Sequence, residues 1–123
     1  MVAYREPMDI LRFDELRNAN NSLEFEGADH GGAALSFFVV DAVPGRGPSL
    51  HTHDYAEVFI VLEGRATFRG ADGDHEVSGG HVVIASAGEP HAFVNSGDGP
   101  LRSVNIHASP RFVTDWLEQE AYG

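Results

Sequence analysis

Between residues 34 and 107 the chain alternates short apolar segments with glycine-rich turns, and this alternation limits the fold more than any other feature. The first segment, ALSFFVVDAV at residues 34–43, is ended by the residues PGRGP. Similar strand-like segments follow, at residues 57–62, 65–69, 75–77, 81–85, 91–95 and 101–107. Many short strands separated by such turns are typical of a β-sandwich or a closed barrel. The pattern therefore predicts an all-β protein.

The two ends of the chain lack this alternation. Residues 1–33 are predicted to form an irregular segment that packs on the barrel. Near the other end, Ser109 suits a helix N-cap and Pro110 suits the first helical position. Four large apolar residues then share one helical face: Phe112, Val113, Trp116 and Leu117. A short C-terminal α-helix is therefore predicted over residues 110–120, with Trp116 packed against the outside of the barrel.

Length and charge restrict the domain organisation and the partners. A chain of 123 residues with 42% apolar residues supports one core, so residues 1–33, 34–108 and 109–123 are assigned to one domain. The net charge of −11 argues against nucleic acid and membrane surfaces as partners. Since there is no cysteine, disulfides and thiolate metal sites are excluded. The charged N-terminal sequence is unlike a signal peptide, and a cytoplasmic location is predicted.

Three histidines and one glutamate have a spacing that suits a metal site. His51 and His53 are two positions apart, so on an extended strand they share a face, with Cβ atoms roughly 6–7 Å apart. Glu57 follows after a short bend, and His91 belongs to a later strand. Three imidazoles and one carboxylate suit iron, manganese, nickel, copper or zinc, and they leave one or two coordination positions open. We predict one divalent transition metal per chain, held by these four residues.

The order of these residues resembles the two signature motifs of the cupin superfamily, in its small single-domain form. Residues 45–64, GRGPSLHTHDYAEVFIVLEG, fill every position of the first motif, G-x5-HxH-x3-E-x6-G. Residues 80–95, GHVVIASAGEPHAFVN, are similar to the second motif, G-x5-PxG-x2-H-x3-N, except that Ser86 replaces the proline. The resemblance implies a cupin-type double-stranded β-helix, which is a jelly-roll barrel, and the same four metal ligands.

The alternation of side chains along the strands predicts further residues of the pocket. Two positions beyond Glu57 and His91, the residues Phe59 and Phe93 extend the ligand face. Both are candidate substrate-binding residues, although they could equally well fill the barrel interior.

The last predicted strand has a polar face and an apolar face. Ser103, Asn105 and His107 form the polar face. If that face points inward, Asn105 or His107 could orient a substrate; for His107 we expect the outward orientation. Three histidines have no partner at ligand spacing and are predicted to be solvated: His30, His75 and His81.

The strand that begins at Glu57 is also apolar on the face that points away from the ligands. Its residues there are Val58, Ile60 and Leu62. Such a face must be covered by a second sheet, by the C-terminal helix or by another chain. Since small cupins resemble one another in pairing through an outer sheet face, a homodimer is predicted.

The resemblance implies a metal-dependent enzyme that acts on a small organic molecule, with an iron-dependent dioxygenase as the leading expectation. Isomerase, cyclase and lyase activities are alternatives within the same family. In each of them Glu57 would bind the metal, and it would also act as a catalytic base if it can leave the metal. The competing hypothesis is a non-catalytic cupin that binds a metal or metabolite and acts as a sensor.

Overall fold

A computed structural model describes residues 8–119, and ten β-strands make up most of its regular structure. In chain order the strands are β1 (Leu23–Glu26), β2 (Ser36–Ala42), β3 (His51–Thr52), β4 (Glu57–Glu63), β5 (Arg65–Gly70), β6 (Gly73–Ser78), β7 (His81–Ala85), β8 (Ala92–Asn95), β9 (Leu101–His107) and β10 (Asp115–Trp116). Two single turns of 3-10 helix span Phe13–Glu15 and Gly27–Asp29. No helix within residues 8–119 is long and apolar enough to cross a membrane. The predicted all-β class is confirmed.

The strands form two layers that enclose the interior. The larger layer is an antiparallel sheet in the order β1-β2-β9-β4-β7, and the smaller contains a sheet in the order β6-β5-β8. Strands β10 and β3 pair with each other, and a single bridge between His51 and His91 joins β3 to the chain just before β8. The arrangement is that of a jelly-roll barrel.

The interior changes from apolar to polar along the central strands. In β4 every second side chain is buried, and the order is Glu57, Phe59, Val61. Strand β9 runs antiparallel beside it and places His107, Asn105 and Ser103 opposite these three residues. Leu101, Ala66 and Phe68 complete the apolar end together with Phe59 and Val61. The polar side chains of the neighbouring strands β4 and β9 therefore collect at the other end of the barrel.

The predicted C-terminal helix is wrong, because residues 110–119 contain no helix and instead cross the mouth of the barrel. There β10 pairs with β3, so that Trp116 lies opposite His51 and their ring centroids are 4.9 Å apart. Phe112 stacks on Phe38, with centroids 4.2 Å apart. A helix of about ten residues is marginal on its own, so these contacts decide the conformation. Trp116 thus lies at the mouth, not on the outside; residue 120 is outside the described range.

The N-terminal part is more regular than its sequence indicates. Leu23–Glu26, predicted as part of an irregular segment, form β1 at the edge of the larger sheet. The alternation of Leu23 and Phe25 with Glu24 and Glu26 is the strand pattern that was missed. Leu23 is buried, and Phe25 stacks on Phe37 of β2 with ring centroids 4.7 Å apart. Residues 1–7 lie outside the described range.

The motif glycines take positive φ angles between strands. Gly64 and Gly80 have φ of 90° and 93°. A Cβ atom added to Gly64 would lie 2.3 Å from the backbone oxygen of Pro100, whereas one added to Gly80 would meet no atom within 4 Å. The two positions therefore share the same backbone strain but differ in the space around them.

This difference predicts unequal costs of alanine substitution. Gly80→Ala should lower the free energy of unfolding by about 1–2 kcal/mol, the usual cost of the left-handed conformation. Gly64→Ala should lower it clearly further, because the backbone near Pro100 must also move. Urea denaturation of both variants measures the difference. Equal losses would contradict the close approach at Gly64.

Candidate metal centre

Four buried side chains converge at the polar end of the barrel. His51 lies in β3 and His53 directly follows that strand. Glu57 is the first residue of β4, and His91 immediately precedes β8. One potential ligand atom from each lies within 4.8 Å of the other three, and each residue is at most 5% exposed. The fold thus brings together all four predicted ligands in a cluster that can hold one metal ion.

Backbone carbonyl groups determine how the three imidazoles present their nitrogens. Each Nδ1 atom lies close to a carbonyl oxygen, at 2.6 Å for His51 and Ser49, 2.8 Å for His53 and Val113, and 2.9 Å for His91 and Glu89. Because a carbonyl oxygen can only accept, each Nδ1 carries a proton and donates it. In the neutral ring the lone pair then belongs to Nε2. This is the tautomer that binds a metal through Nε2.

The inward-facing atoms fit a cation. Nε2 of His53 is buried and has no hydrogen-bond partner among the described residues, although Oε1 of Glu57 is 3.0 Å away. The same Oε1 lies 3.1 Å from Nε2 of His91. Burying an acceptor without a partner costs about 1–3 kcal/mol. A divalent ion between these atoms would satisfy them together, so the donor set fits a transition metal that prefers nitrogen and oxygen.

Burial and hydrogen bonding shift the pKa values of the cluster in different directions. Burial lowers the pKa of His51 to about 4, which favours the neutral ring. For His91 burial also lowers the pKa, but hydrogen bonds with Glu57 and the carbonyl of Glu89 outweigh it and the net shift is upward. Burial raises the pKa of Glu57, yet the imidazoles of His107, His53 and His91 that face its carboxylate hold the pKa well below its usual range. Glu57 is therefore a carboxylate, and a bound metal would displace any proton on Nε2 of His91.

The expected outward orientation of His107 is wrong. His107 is only 3% exposed, and its Nε2 lies 3.1 Å from Oε2 of Glu57. Ser103 and Asn105 are buried with it, so the whole polar face of β9 points inward. Apolar side chains usually face the interior of a barrel, but in β9 the polar face points inward because this end of the barrel interior is polar. The useful signal was the polar i, i+2, i+4 pattern in β9, which continues the ligand face of the neighbouring β4.

Tyr55 is a second residue that the sequence analysis missed, having treated it only as part of the bend before Glu57. Its hydroxyl lies 2.8 Å from Nδ1 of His107 and accepts a hydrogen bond from the backbone N–H of Val113 at 3.1 Å. Burial raises the pKa of Tyr55 to about 12, so the phenol keeps its proton. No feature of the spacing identifies this role, since it depends on where Val113 crosses the mouth.

A cavity of about 110 Å³ opens beside Glu57. Its walls are mostly apolar and include Phe38, Val40, Phe93, Phe112 and Trp116. Glu57, Asn105 and His107 are among its polar lining residues. Asp41 also belongs to the lining, but its exposed carboxylate lies 3.9 Å from Nε of Arg102. Neither Lys nor Arg lines the cavity among the described residues.

The three predicted substrate contacts therefore lie in different surroundings. Phe93 and Asn105 line this cavity, whereas Phe59 belongs to the apolar core and packs against Phe68 and Phe93. Oδ1 of Asn105 accepts a hydrogen bond from Oγ of Ser103 at 2.7 Å. Within residues 8–119 its amide NH2 group has no hydrogen-bond acceptor, so it is the donor available to a bound molecule.

Ser86, the one departure from the second motif, fits its turn through an N–H group that proline lacks. This N–H donates to Oε1 of Glu89 at 3.3 Å, and the N–H of Glu89 donates to the carbonyl of Ser86 at 3.0 Å. The carbonyl of the same Glu89 accepts from Nδ1 of His91. The turn that orients His91 is therefore closed by hydrogen bonds in the absence of proline.

The remaining histidines are separate from the cluster. His75 and His81 are exposed, as predicted, and contact Asp72 and the carbonyl of Ser78. His30 is half-buried, because it stacks on Phe25 and lies 3.2 Å from Asp9.

A family model described as a cupin domain matches residues 38–107, which is more than half of the chain. The chain belongs to the cupin family. The matched range extends from β2 to the end of β9, so it contains the four clustered residues of the metal centre as well as His107 and Tyr55. None of the curated proteins matches the sequence of this cupin significantly.

Solved structures with similar folds include both small and larger proteins. An uncharacterized conserved protein with a double-stranded β-helix domain from Klebsiella pneumoniae is 22% identical with a TM-score of 0.70, over 92% of this cupin and 100% of that chain. Bacillus subtilis oxalate decarboxylase, described with Mn(II) centres, is 19% identical with a TM-score of 0.70, over 78% and 27%. An oxalate oxidase is 21% identical with a TM-score of 0.67, over 81% and 57%. This cupin spans only part of the oxalate enzymes, and at such identities the likeness shows the fold alone.

Proposed function

We propose that this cupin is a metal-dependent enzyme that acts on a small, largely apolar organic molecule, with an iron-dependent dioxygenase reaction as the leading candidate. The observation that carries the proposal is the position of Glu57. Its carboxylate belongs to the metal cluster and also lines the 110 Å³ cavity. A structural metal site is usually closed by its protein ligands, whereas a catalytic site keeps an open position beside a pocket.

The charges around the cavity favour a neutral substrate, or one with a single negative charge. The carboxylate of Glu57 lines the cavity, and no Lys or Arg side chain among the described residues lines it with Glu57. A dicarboxylate such as oxalate would therefore depend on the metal alone for its counter-charge. Catechols, flavonols and β-diketones combine oxygen atoms that can bind a metal with an apolar body, and so they suit these walls better.

In the proposed reaction the metal and the residues around the cavity would have separate roles. A bound metal would supply Lewis-acid chemistry or, in the case of iron, redox chemistry. The aromatic walls Phe38, Phe93 and Phe112 would exclude water from the reacting atoms, and the amide of Asn105 would donate a hydrogen bond to a substrate oxygen. Glu57 would hold the metal as a carboxylate, and it would act as a base only if it left the metal.

Oxygen uptake provides the test. The metal-free protein is loaded separately with Fe(II), Mn(II), Ni(II) and Zn(II), and oxygen consumption is followed with catechols, flavonols, β-diketones and oxalate. We expect about one metal per chain and oxygen consumption with iron and at least one apolar substrate, but none with oxalate. Asn105→Leu should raise KM for that substrate, since it removes the donor at similar volume.

The outcomes against the proposal are specific. Turnover of oxalate would contradict the substrate class. The absence of turnover with every metal and substrate, together with a metabolite that copurifies in stoichiometric amount, would support the sensor hypothesis instead. Fe(II), Mn(II), Ni(II) and Zn(II) all failing to bind would contradict the metal centre itself.

A further inference from the structure

We propose that His107 and Tyr55 form a positioning pair that holds Glu57 as a one-oxygen metal ligand. The proposal rests on the proposed metal centre and adds two residues that are not themselves ligands. Nε2 of His107 lies 3.1 Å from Oε2 of Glu57, and the hydroxyl of Tyr55 lies 2.8 Å from Nδ1 of His107. All three residues belong to one continuous chain of polar contacts.

The direction of these hydrogen bonds follows from the donors available. The oxygen of Tyr55 already accepts the backbone N–H of Val113, at 3.1 Å. Within the described residues, its own proton has one acceptor nearby, Nδ1 of His107. If Nδ1 accepts, the proton of the neutral imidazole is on Nε2, and Nε2 donates to Oε2 of Glu57. His107 therefore has the opposite tautomer from His51, His53 and His91, whose Nδ1 atoms donate to carbonyl groups.

This tautomer separates the roles of the two carboxylate oxygens of Glu57. Oε1 faces Nε2 of His53 and of His91, at 3.0 and 3.1 Å, and is the oxygen directed at the metal position. Oε2 is turned away and receives the hydrogen bond from His107. A carboxylate held in this way binds a metal through one oxygen, so a coordination position that bidentate binding would occupy stays open. His107 itself is excluded as a ligand because its Nε2 carries a proton.

The packing around His107 leaves its ring little freedom to turn. Its ring centroid lies 5.6 Å from that of Phe38, 4.8 Å from Phe112 and 4.7 Å from His53. Because these rings prevent His107 from rotating, the position of its Nε2 is fixed. The hydrogen bond from Nε2 therefore determines the orientation of the Glu57 carboxylate. Partners in this position typically change metal affinity 10–100-fold.

Val113 connects the same pair to the chain that crosses the mouth. Its N–H donates to the hydroxyl of Tyr55, and its carbonyl accepts from Nδ1 of His53. One residue of this segment thus fixes the tautomer of a ligand and the orientation of the positioning pair. This contact explains why an extended segment, and not a helix, serves the site: a helical Val113 would use both groups within its own helix.

The test uses Co²⁺ alone as the probe and compares His107→Leu, His107→Gln and Tyr55→Phe with the unchanged protein. The amide nitrogen of glutamine can take the place of Nε2 of histidine, so His107→Gln keeps a donor for Glu57, while leucine removes it. Affinity is measured by competition with a chelator. The d–d absorption of bound Co²⁺ reports coordination number, because the bands weaken as ligands are added.

We expect His107→Leu to bind Co²⁺ roughly 10–100-fold more weakly and with weaker d–d bands, because the released carboxylate can bind through both oxygens. His107→Gln should restore both the affinity and the spectrum. Tyr55→Phe should produce a smaller loss in the same direction, since His107 can then take either tautomer. A role in folding alone would change the melting temperature but not the spectrum of the bound metal.

Three results would overturn the inference. If His107→Leu folds and binds Co²⁺ with unchanged affinity and spectrum, His107 does not position Glu57. If His107→Leu and His107→Gln both lose binding as completely as His53→Ala, His107 is a ligand. If His107→Leu does not fold, an unchanged affinity and spectrum in Tyr55→Phe overturns the inference instead. A wild-type protein that binds no Co²⁺ is a different result, because it contradicts the metal centre and not only the positioning pair.

Discussion

His53→Ala is expected to lower the affinity for a divalent transition metal by orders of magnitude, and Glu57→Ala by somewhat less. Each substitution removes one of four ligands from a cluster whose donor atoms all lie within 4.8 Å of one another. The loss of the imidazole should be larger because nitrogen ligands contribute more than one carboxylate oxygen to binding of iron, nickel, copper or zinc. Elemental analysis and competition with a chelator measure the effect.

The fold should survive both substitutions, since the apolar end of the barrel does not depend on the metal. In the metal-free state the melting temperature of His53→Ala should be equal to or above that of the unchanged protein, because the substitution removes a buried Nε2 without a partner. Added metal should raise the melting temperature of the unchanged protein, because binding at 100 times Kd adds about 2.7 kcal/mol to the free energy of unfolding. Neither variant should show this stabilisation.

His75→Ala is the matched control. His75 is exposed, and within residues 8–119 its one ion-pair partner is Asp72, at 2.9 Å on the surface. Exposed pairs of this kind contribute little to stability, so both metal content and melting temperature should stay unchanged. If His75→Ala loses the metal while His53→Ala keeps it, the assignment of the centre is wrong.

The ligands could be predicted from the sequence because their geometry is local. His51 and His53 share a face by the alternation of a strand, and Glu57 follows after a bend of three residues. Strands with a clear local pattern were also predictable: the β-branched run at residues 81–85 and the alternating residues 101–107 coincide with β7 and β9. In each case neighbours along the chain determine the outcome.

His107 and the C-terminal segment could not be predicted in this way because they depend on distant partners. The inward face of β9 is decided by its register with β4, in which His107 lies opposite Glu57. In the C-terminal segment two periods compete: Phe112, Val113, Trp116 and Leu117 fit a helix, whereas Phe112, Thr114 and Trp116 fit a strand, and it is the latter three that line the cavity. Hydrogen bonds of Val113 to His53 and Tyr55 favour the extended form, and sequence spacing does not contain that information.

The outer face of the larger sheet bears on the predicted homodimer. Two rows of apolar side chains cross the outer face: Phe25, Phe37, Ile106, Val58 and Ile84 in one, and Val39, Val104, Ile60 and Val82 in the other, which ends at the buried Leu23 of β1. Of the three covers considered for this face, the smaller sheet packs on the opposite side and the C-terminal segment lies at the mouth. We therefore propose that a second copy covers it, since two-fold dimers are the commonest assemblies and such a face can pair with itself.

Ile84→Glu is expected to convert this dimer into a monomer. Ile84 is 64% exposed in the single chain, so the substitution should leave the barrel intact, but a dimer would bury two unpaired carboxylates. A cost of about 3 kcal/mol corresponds to roughly a hundredfold rise in the dimer Kd. Val43→Glu is the control, because Val43 is similarly exposed, at 61%, but lies beyond the end of β2. Sedimentation at micromolar concentration should give dimers for the unchanged protein and for Val43→Glu, and monomers for Ile84→Glu. An unchanged protein that is strictly monomeric would contradict the proposal. A dimeric Ile84→Glu variant would show that the interface lies elsewhere.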